Sequence, residues 1–180
     1  MSLSLVQDTI KNHFFTQDCL RRVVAFADAG IQHEGWFNGE IVYLFDGMKK
    51  GGSIKSWSRE CPSTIAGKCD FKLELVNATT VVFEMKALQQ RDQRGLWRLG
   101  HSAVDIVDHN DIPKMLGITA TDRYLVVFAY PVRAASEWHE LAAKVQQFLV
   151  SKKGIHNAIS VSKFDDSPGG ELSIGWLQLH

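Results

Sequence analysis

Apolar residues recur along this chain in three rhythms, and each rhythm predicts a different kind of element. Leu5, Ile10, Phe14, Leu20, Val23, Val24 and Ala27 fall at helical spacing, which predicts a helix over 4–29 stopped at Gly30. Asp18 offers a restart inside it, so two shorter helices satisfy the same pattern. A second helical stripe runs over 34–48 through Trp36, Phe37, Ile41, Leu44, Phe45 and Met48, although Asn38-Gly39 also reads as a hairpin tip. Gly51-Gly52 ends it, and a first strand is expected over 53–60. Leu96, Leu99, Ala103, Ile106 and Val107 predict a further helix despite Gly100. The unbroken run Arg123 to Tyr130, ended by Pro131, is the mark of a central strand buried on both faces. Ser136 caps a helix through Trp138, Leu141, Ala142, Val145, Phe148 and Leu149, closed by Lys152, Lys153 and Gly154. After the turn-rich stretch Asp165 to Gly170 comes a last strand over 171–179. Helices and strands interleaved in this way predict an α/β (α+β mixed) fold, a central mixed sheet flanked by helices.

The third rhythm, strict alternation, occupies Cys69 to Lys86 and predicts a hairpin. Phe71, Leu73 and Leu75 point one way, and Asp70, Lys72 and Glu74 the other. In the second arm Val81, Phe83 and Met85 oppose Thr80, Val82, Glu84 and Lys86. Folding about Asn77, which tolerates positive φ, sets Phe71 against Phe83 and Asp70 against Glu84. Directly opposed residues have Cβ atoms about 5 Å apart, and like charges there repel. A divalent cation between the two carboxylates relieves that repulsion, since hard cations take oxygen ligands. The plain alternative is a solvated charged face neutralised by Lys72 and Lys86.

Composition narrows the classes. At 180 residues with 45% hydrophobic content, one domain spanning 1–180 with a sizeable core is expected. The 20 basic and 20 acidic residues cancel, which argues against a strong non-specific nucleic-acid binder but leaves room for a locally basic cleft. Cys19, Cys61 and Cys69 form no Cys-x-x-Cys pair, and no histidine lies at zinc-finger spacing from the latter two; a reduced, cytoplasmic protein is the expectation. No charged-then-apolar leader and no run of 18 apolar residues is seen, so neither a signal peptide nor a membrane partner is expected. Ser-His-Asp, Gly-rich phosphate-loop and His-Glu-x-x-His patterns are missing from the sequence.

Asp70, a strand, and then Glu84-Met85-Lys86 preceded by Val81-Val82-Phe83 resembles the Asp…Glu-x-Lys core of the PD-(D/E)XK phosphodiesterase (restriction endonuclease-like) superfamily. Cys69 stands where that pattern usually has Pro. The resemblance covers about residues 33–152 and implies an αβββαβ core, with an extra N-terminal helix and C-terminal strand outside it. It further implies a metal-dependent nuclease acting on nucleic acid, DNA in the first instance, with a homodimer as an allowed assembly. Under it Asp70, Glu84 and the Met85 carbonyl hold Mg²⁺ or Mn²⁺, which polarises the scissile phosphate and acidifies a bound water. Lys86, its ammonium form favoured beside two carboxylates, stabilises charge and orients water. The other open reading is a nuclease-fold module that binds nucleic acid or protein without turnover.

Further positions carry candidate chemistry. Glu40 falls inside the apolar stripe, four residues from both Trp36 and Leu44, where an unpartnered charge is costly. In the resembled superfamily the helix before the first strand often adds an acid to the metal site, so Glu40 is expected to face Asp70, Glu84 and Lys86. Glu34, near the helix start where acids are favoured anyway, is the lesser candidate. Gln89, Gln90, Arg91 and Arg94 follow the second hairpin arm directly and are placed to contact phosphates. Glu60, His101 and His109 read more simply as a strand-end charge and as structural or exposed histidines.

Overall fold

The computed structural model describes residues 2–29, 34–64, 67–89, 103–108, 111–130, 136–156 and 158–180. Among them a six-stranded mixed sheet is flanked by six helices. In chain order these are α1 (Leu3–Phe14), α2 (Gln17–Asp28), α3 (Glu34–Lys50), β1 (Ser56–Pro62), β2 (Lys68–Glu74), β3 (Thr80–Gln89), α4 (Ala103–Asp108), α5 (Asp111–Leu116), β4 (Asp122–Tyr130), α6 (Ser136–Lys153), β5 (Ile159–Asp166) and β6 (Ser173–Leu179). The strand order is β1-β2-β3-β4-β6-β5. Only β3 and β4 pair in parallel; the other four pairings are antiparallel. That one parallel pair needs a crossover, and the chain supplies it through α4 and α5. Among the described residues no helix is long and apolar enough to cross a membrane.

Each sheet face buries its own core, because side chains alternate along every strand. Against α1–α3 lie Phe71, Leu73, Val81, Phe83, Met85, Val126, Phe128 and Trp176. Against α4–α6 lie Cys69, Val82, Leu125, Val127, Ala129 and Leu177. The apolar run of β4 is thus explained: it is central and covered on both sides. Gly175 of β6 admits α6 closely, since a Cβ there would stand 2.2 Å from the Trp138 ring.

Several boundaries differ from the expectation. The 4–29 stretch takes the two-helix form that its pattern also allowed, but the break falls at Thr16, before Asp18: Thr16 adopts extended backbone and its hydroxyl accepts the Cys19 N–H at 3.4 Å. Asn38-Gly39 lies within α3 and forms no hairpin. The first strand begins at Ser56, not residue 53, and runs to Pro62. Helix α5 and strand β5 were not anticipated, and the C-terminal strand β6 sits inside the sheet, between β4 and β5. Of the helix expected over 96–107, the segment before Ala103 lies outside the described residues.

The hairpin keeps the register read from its pattern, with Phe71 opposite Phe83 and Leu73 opposite Val81. Its tip is a three-residue loop in which the Ala78 N–H bonds the Leu75 carbonyl at 3.0 Å and the Leu75 N–H bonds the Thr79 carbonyl at 2.8 Å. The left-handed position falls on Ala78 (φ 65°), not on Asn77, whose side chain instead accepts the Thr79 N–H at 3.2 Å. At the far end the ladder stops at Phe71 and Phe83. On the other flank, β1 and β2 skip a pairing between Arg59↔Phe71 and Cys61↔Cys69, where Glu60 takes a φ of 50°. Asp70 therefore stands where the ladder opens on both sides.

Candidate functional site

Where β2 and β3 part, their carboxylates take over the backbone donors the ladder leaves. The Met85 N–H donates to Asp70 Oδ2 at 2.9 Å, and the Asp70 N–H donates to Glu84 Oε2 at 3.3 Å. Buried N–H groups seldom go unpaired, so these bonds aim both side chains at one spot. Glu84 shares its face with Val82 and looks toward α5, which brings two more charges. Lys114 Nζ rests directly on Glu84 Oε1 and lies 3.0 Å from Asp111 Oδ1. Lys86 Nζ lies 3.2 Å from Asp111 Oδ2 and 4.0 Å from Glu34 Oε2. Glu84 and Asp111 are buried to 2% and 1% exposure, which makes this a desolvated cluster of three carboxylates and two ammoniums with Glu34 at its rim.

Burial and mutual repulsion govern its charge states. Burial first, then the Asp70 charge, push the Glu84 carboxyl up to about 8 against the pull of Lys114. Asp70 is raised as well, by burial, which outweighs the Met85 N–H and the two lysines. For Lys114 burial works downward, yet the Glu84 and Asp111 carboxylates prevail and hold it above the ordinary lysine value. Lys86 is raised in the same manner, burial being outweighed chiefly by Asp111 and Glu34. Beside them the buried Cys69 thiol is pushed up to about 12 by desolvation and then by Glu84, so it packs as an inert small hydrophobe.

Asp70, Glu84 and Lys86 thus come together, with the Met85 backbone in contact through its N–H. Glu40 does not join them. Its Oε2 lies 2.7 Å from His13 Nε2, and its Oε1 accepts the Trp36 indole N–H at 3.1 Å with Arg22 at 3.7 Å. The reason is geometric. Glu34 and Glu40 are six residues apart, which at 3.6 residues per turn places them about 120° apart around α3. Glu34 faces β3, where Oε2 also accepts the Ala87 N–H at 3.5 Å, and Glu40 faces α1 and α2. Those two helices supply Arg22 and His13, partners that the stripe itself lacks. Glu60 is exposed and pairs with Lys68 at 2.9 Å. Gln90, Arg91, Arg94, His101 and His109 lie outside the described residues; of Gln89 only the backbone, the last position of β3, is described.

Asp111 and Lys114 are the members that periodicity missed. Helix α5 is six residues long, less than two turns, so it leaves no stripe to recognise. The available signal was local: an acid followed two residues later by Pro113, the grammar of a helix start. The helix is pinned from behind by Arg123, whose guanidinium donates to the Met115 and Ile118 carbonyls at 3.0 and 2.8 Å. Thr64 adds a hydroxyl bond to the Gly117 carbonyl at 2.8 Å.

The donors fit a hard dication in kind, being carboxylate oxygens held on two strands and a helix. Asp111 Oδ2 is buried and receives no hydrogen bond, its contact with Lys86 being ionic only. In arrangement the cluster is closed: among the described residues no three His, Cys, Asp or Glu side chains are grouped to hold an ion as they stand. Lys114 occupies the space between Glu84 and Asp111. No protein-family model, curated protein or solved structure matches the chain.

Proposed function

We propose that the chain is a metal-dependent nuclease of the PD-(D/E)XK, restriction endonuclease-like type, hydrolysing phosphodiester bonds of nucleic acid, DNA in the first instance. The observation that carries this reading is the opening of the β2–β3 ladder at Asp70 and Glu84 with Lys86 on the same patch. A ladder break that aims two carboxylates at one point costs backbone pairing and charge repulsion, and a stable fold has little use for it without a ligand. The element order α3-β1-β2-β3-α4-α5-β4, which contains the expected αβββαβ succession with the short α5 added before β4, supports the same reading. Asp70, Glu84 and Asp111 would hold Mg²⁺ or Mn²⁺, which when bound supplies Lewis-acid polarisation of the phosphate and a more acidic water. Lys86, kept protonated by Asp111 and Glu34, presents positive charge to the phosphate and is a charge stabiliser, not a general base. Burial beneath α5 keeps solvent from screening these charges.

Incubation with linear, circular and single-stranded DNA and with RNA, with and without Mg²⁺ or Mn²⁺, tests the assignment. Cleavage should require the ion and be abolished in Asp70→Asn and Glu84→Gln, with both variants folded by circular dichroism. Full activity in either variant removes the assignment.

One observation favours a second reading, a nuclease-fold module that binds without turnover. The carboxylates are already neutralised internally by Lys86 and Lys114. Such a module would retain nucleic acid in a mobility-shift assay, and Mn²⁺ would leave its melting temperature unmoved.

A further inference from the structure

Resting on the metal-site reading, we infer that Lys114 is a displaceable internal cation: its ammonium holds the metal's place, and metal binding expels it from the cluster. The geometry leaves no room for both. Lys114 Nζ touches Glu84 Oε1 directly and stands 3.0 Å from Asp111 Oδ1, so it fills the wedge between two of the carboxylates that would hold the ion. Such an ion demands oxygens at about 2.0–2.1 Å. Charge leads to the same exchange. A dication placed beside the Lys114 ammonium would repel it at close range where Glu84 and Asp111 are buried and solvent screens little, so replacement is favoured over addition.

The two lysines are not equivalent in this exchange. Lys86 is anchored by Asp111 and Glu34 and makes no ion pair with Glu84 within 4.0 Å among the described contacts. Lys114 sits on α5, over the sheet, with its stem passing 4.0 Å from the Cβ position of Gly67. A flexible four-carbon stem lets the ammonium swing outward without moving the helix. Helix α5 itself stays fixed by Arg123 and Thr64, so only the side chain has to move. The cluster would then be shut when metal is scarce, and metal affinity would be set by competition with a residue of the protein's own.

The test is Mn²⁺ binding by isothermal titration to wild type, Lys114→Met and Glu84→Gln. Lys114→Met keeps an unbranched apolar stem, one atom shorter, and removes the charge and its donors. It should bind Mn²⁺ at least about tenfold more tightly than wild type, and Glu84→Gln should lose binding. In parallel, wild-type protein is treated with an amine-acylating reagent with and without Mn²⁺, and Lys114 labelling is read by peptide mass spectrometry. Labelling should rise with Mn²⁺, since the expelled ammonium reaches solvent. Glu84-dependent Mn²⁺ binding with no tightening in Lys114→Met and no rise in labelling overturns this inference and leaves the metal site standing. Absence of Mn²⁺ binding in wild type and Lys114→Met alike removes the metal-site reading and this inference with it. Should Lys114→Met fail to fold, the labelling of wild-type protein decides alone.

Discussion

The two faces of the sheet are built on different principles. The face under α1–α3 is an aromatic interlock. Phe37 stacks on Phe128 at 4.2 Å between ring centroids, Phe14 meets Phe128 edge-on at 4.9 Å, and Phe45, Phe83 and Trp176 continue the set. Its charges are kept at the rim, as with Glu40 between His13 and Trp36. The face under α4–α6 is largely aliphatic, and it admits Glu84 and Asp111 into its buried interior. Replacing a buried ionic cluster with apolar side chains is often neutral or stabilising, so the second face gives up stability that the first retains. That asymmetry locates the chemistry better than charge counting does, because the whole chain is neutral.

The comparison breaks most strongly at the aromatic face. Phe37→Ala should cost about 3–5 kcal/mol, the range for removing a large buried aromatic. A denaturant midpoint barely changed from wild type would mean that α3 is not anchored by this stack. On the other face, Gly175→Ala forces a methyl into the Trp138 ring, which cannot retreat because it is itself fully buried. A loss of about 1–3 kcal/mol is expected. An unchanged midpoint in that variant would show that α6 does not sit as closely on β6 as described.

The charged edge should respond with the opposite sign. Glu84 has a folded pKa above its ordinary 4.5, so between about pH 4.5 and 8 the folded state holds a proton that the unfolded chain releases. Stability of the metal-free protein should therefore fall as pH rises through that window. The raised Asp70 adds a loss in the same direction above pH 3.8. Lys114 and Lys86 are raised from 10.5, and their contribution is full throughout this range and lost only at higher pH. Glu84→Gln should be close to wild type near pH 5. Near pH 8 it should be more stable by an amount on the order of 1 kcal/mol. Parallel melting curves for the two proteins from pH 5 to 8 would contradict the assignment of Glu84 as the strained acid.

Much of this was legible in the chain, and what was not has identifiable causes. Alternation fixes a side chain's face, so the register Phe71↔Phe83 and the meeting of Asp70 with Glu84 could be read from spacing alone. An amphipathic stripe specifies only which face of α3 is covered, not by what, so it ranks Glu40 above Glu34, whereas α1 and α2 take up Glu40 and leave Glu34 to face β3. Strand β5 was hidden because its register shifts between Val161 and Lys163, which interrupts the alternation that reveals a strand. Helix α5, with Asp111 and Lys114, is too short for its periodicity to rise above background.

The smallest expected effect lies at the hairpin tip, which decides which residues reach which face. A slip of one residue between β2 and β3 would turn Glu84 toward the aromatic core and Phe83 toward α5. The loop that prevents this carries Ala78 at φ 65°, a left-handed conformation that costs an L-residue with a Cβ about 1–2 kcal/mol. Glycine adopts it freely but loses more entropy on folding, by about 0.5–1 kcal/mol. The difference favours Ala78→Gly by up to about 1 kcal/mol, with no change at either face. Asn77 should keep its bond to the Thr79 N–H in that variant, since the turn it supports is unchanged. A higher denaturant midpoint at constant m-value, with Mn²⁺ affinity equal to wild type, is the expected result. A lower midpoint would place the left-handed residue of the loop elsewhere, and with it the register that delivers Glu84 to the α5 side.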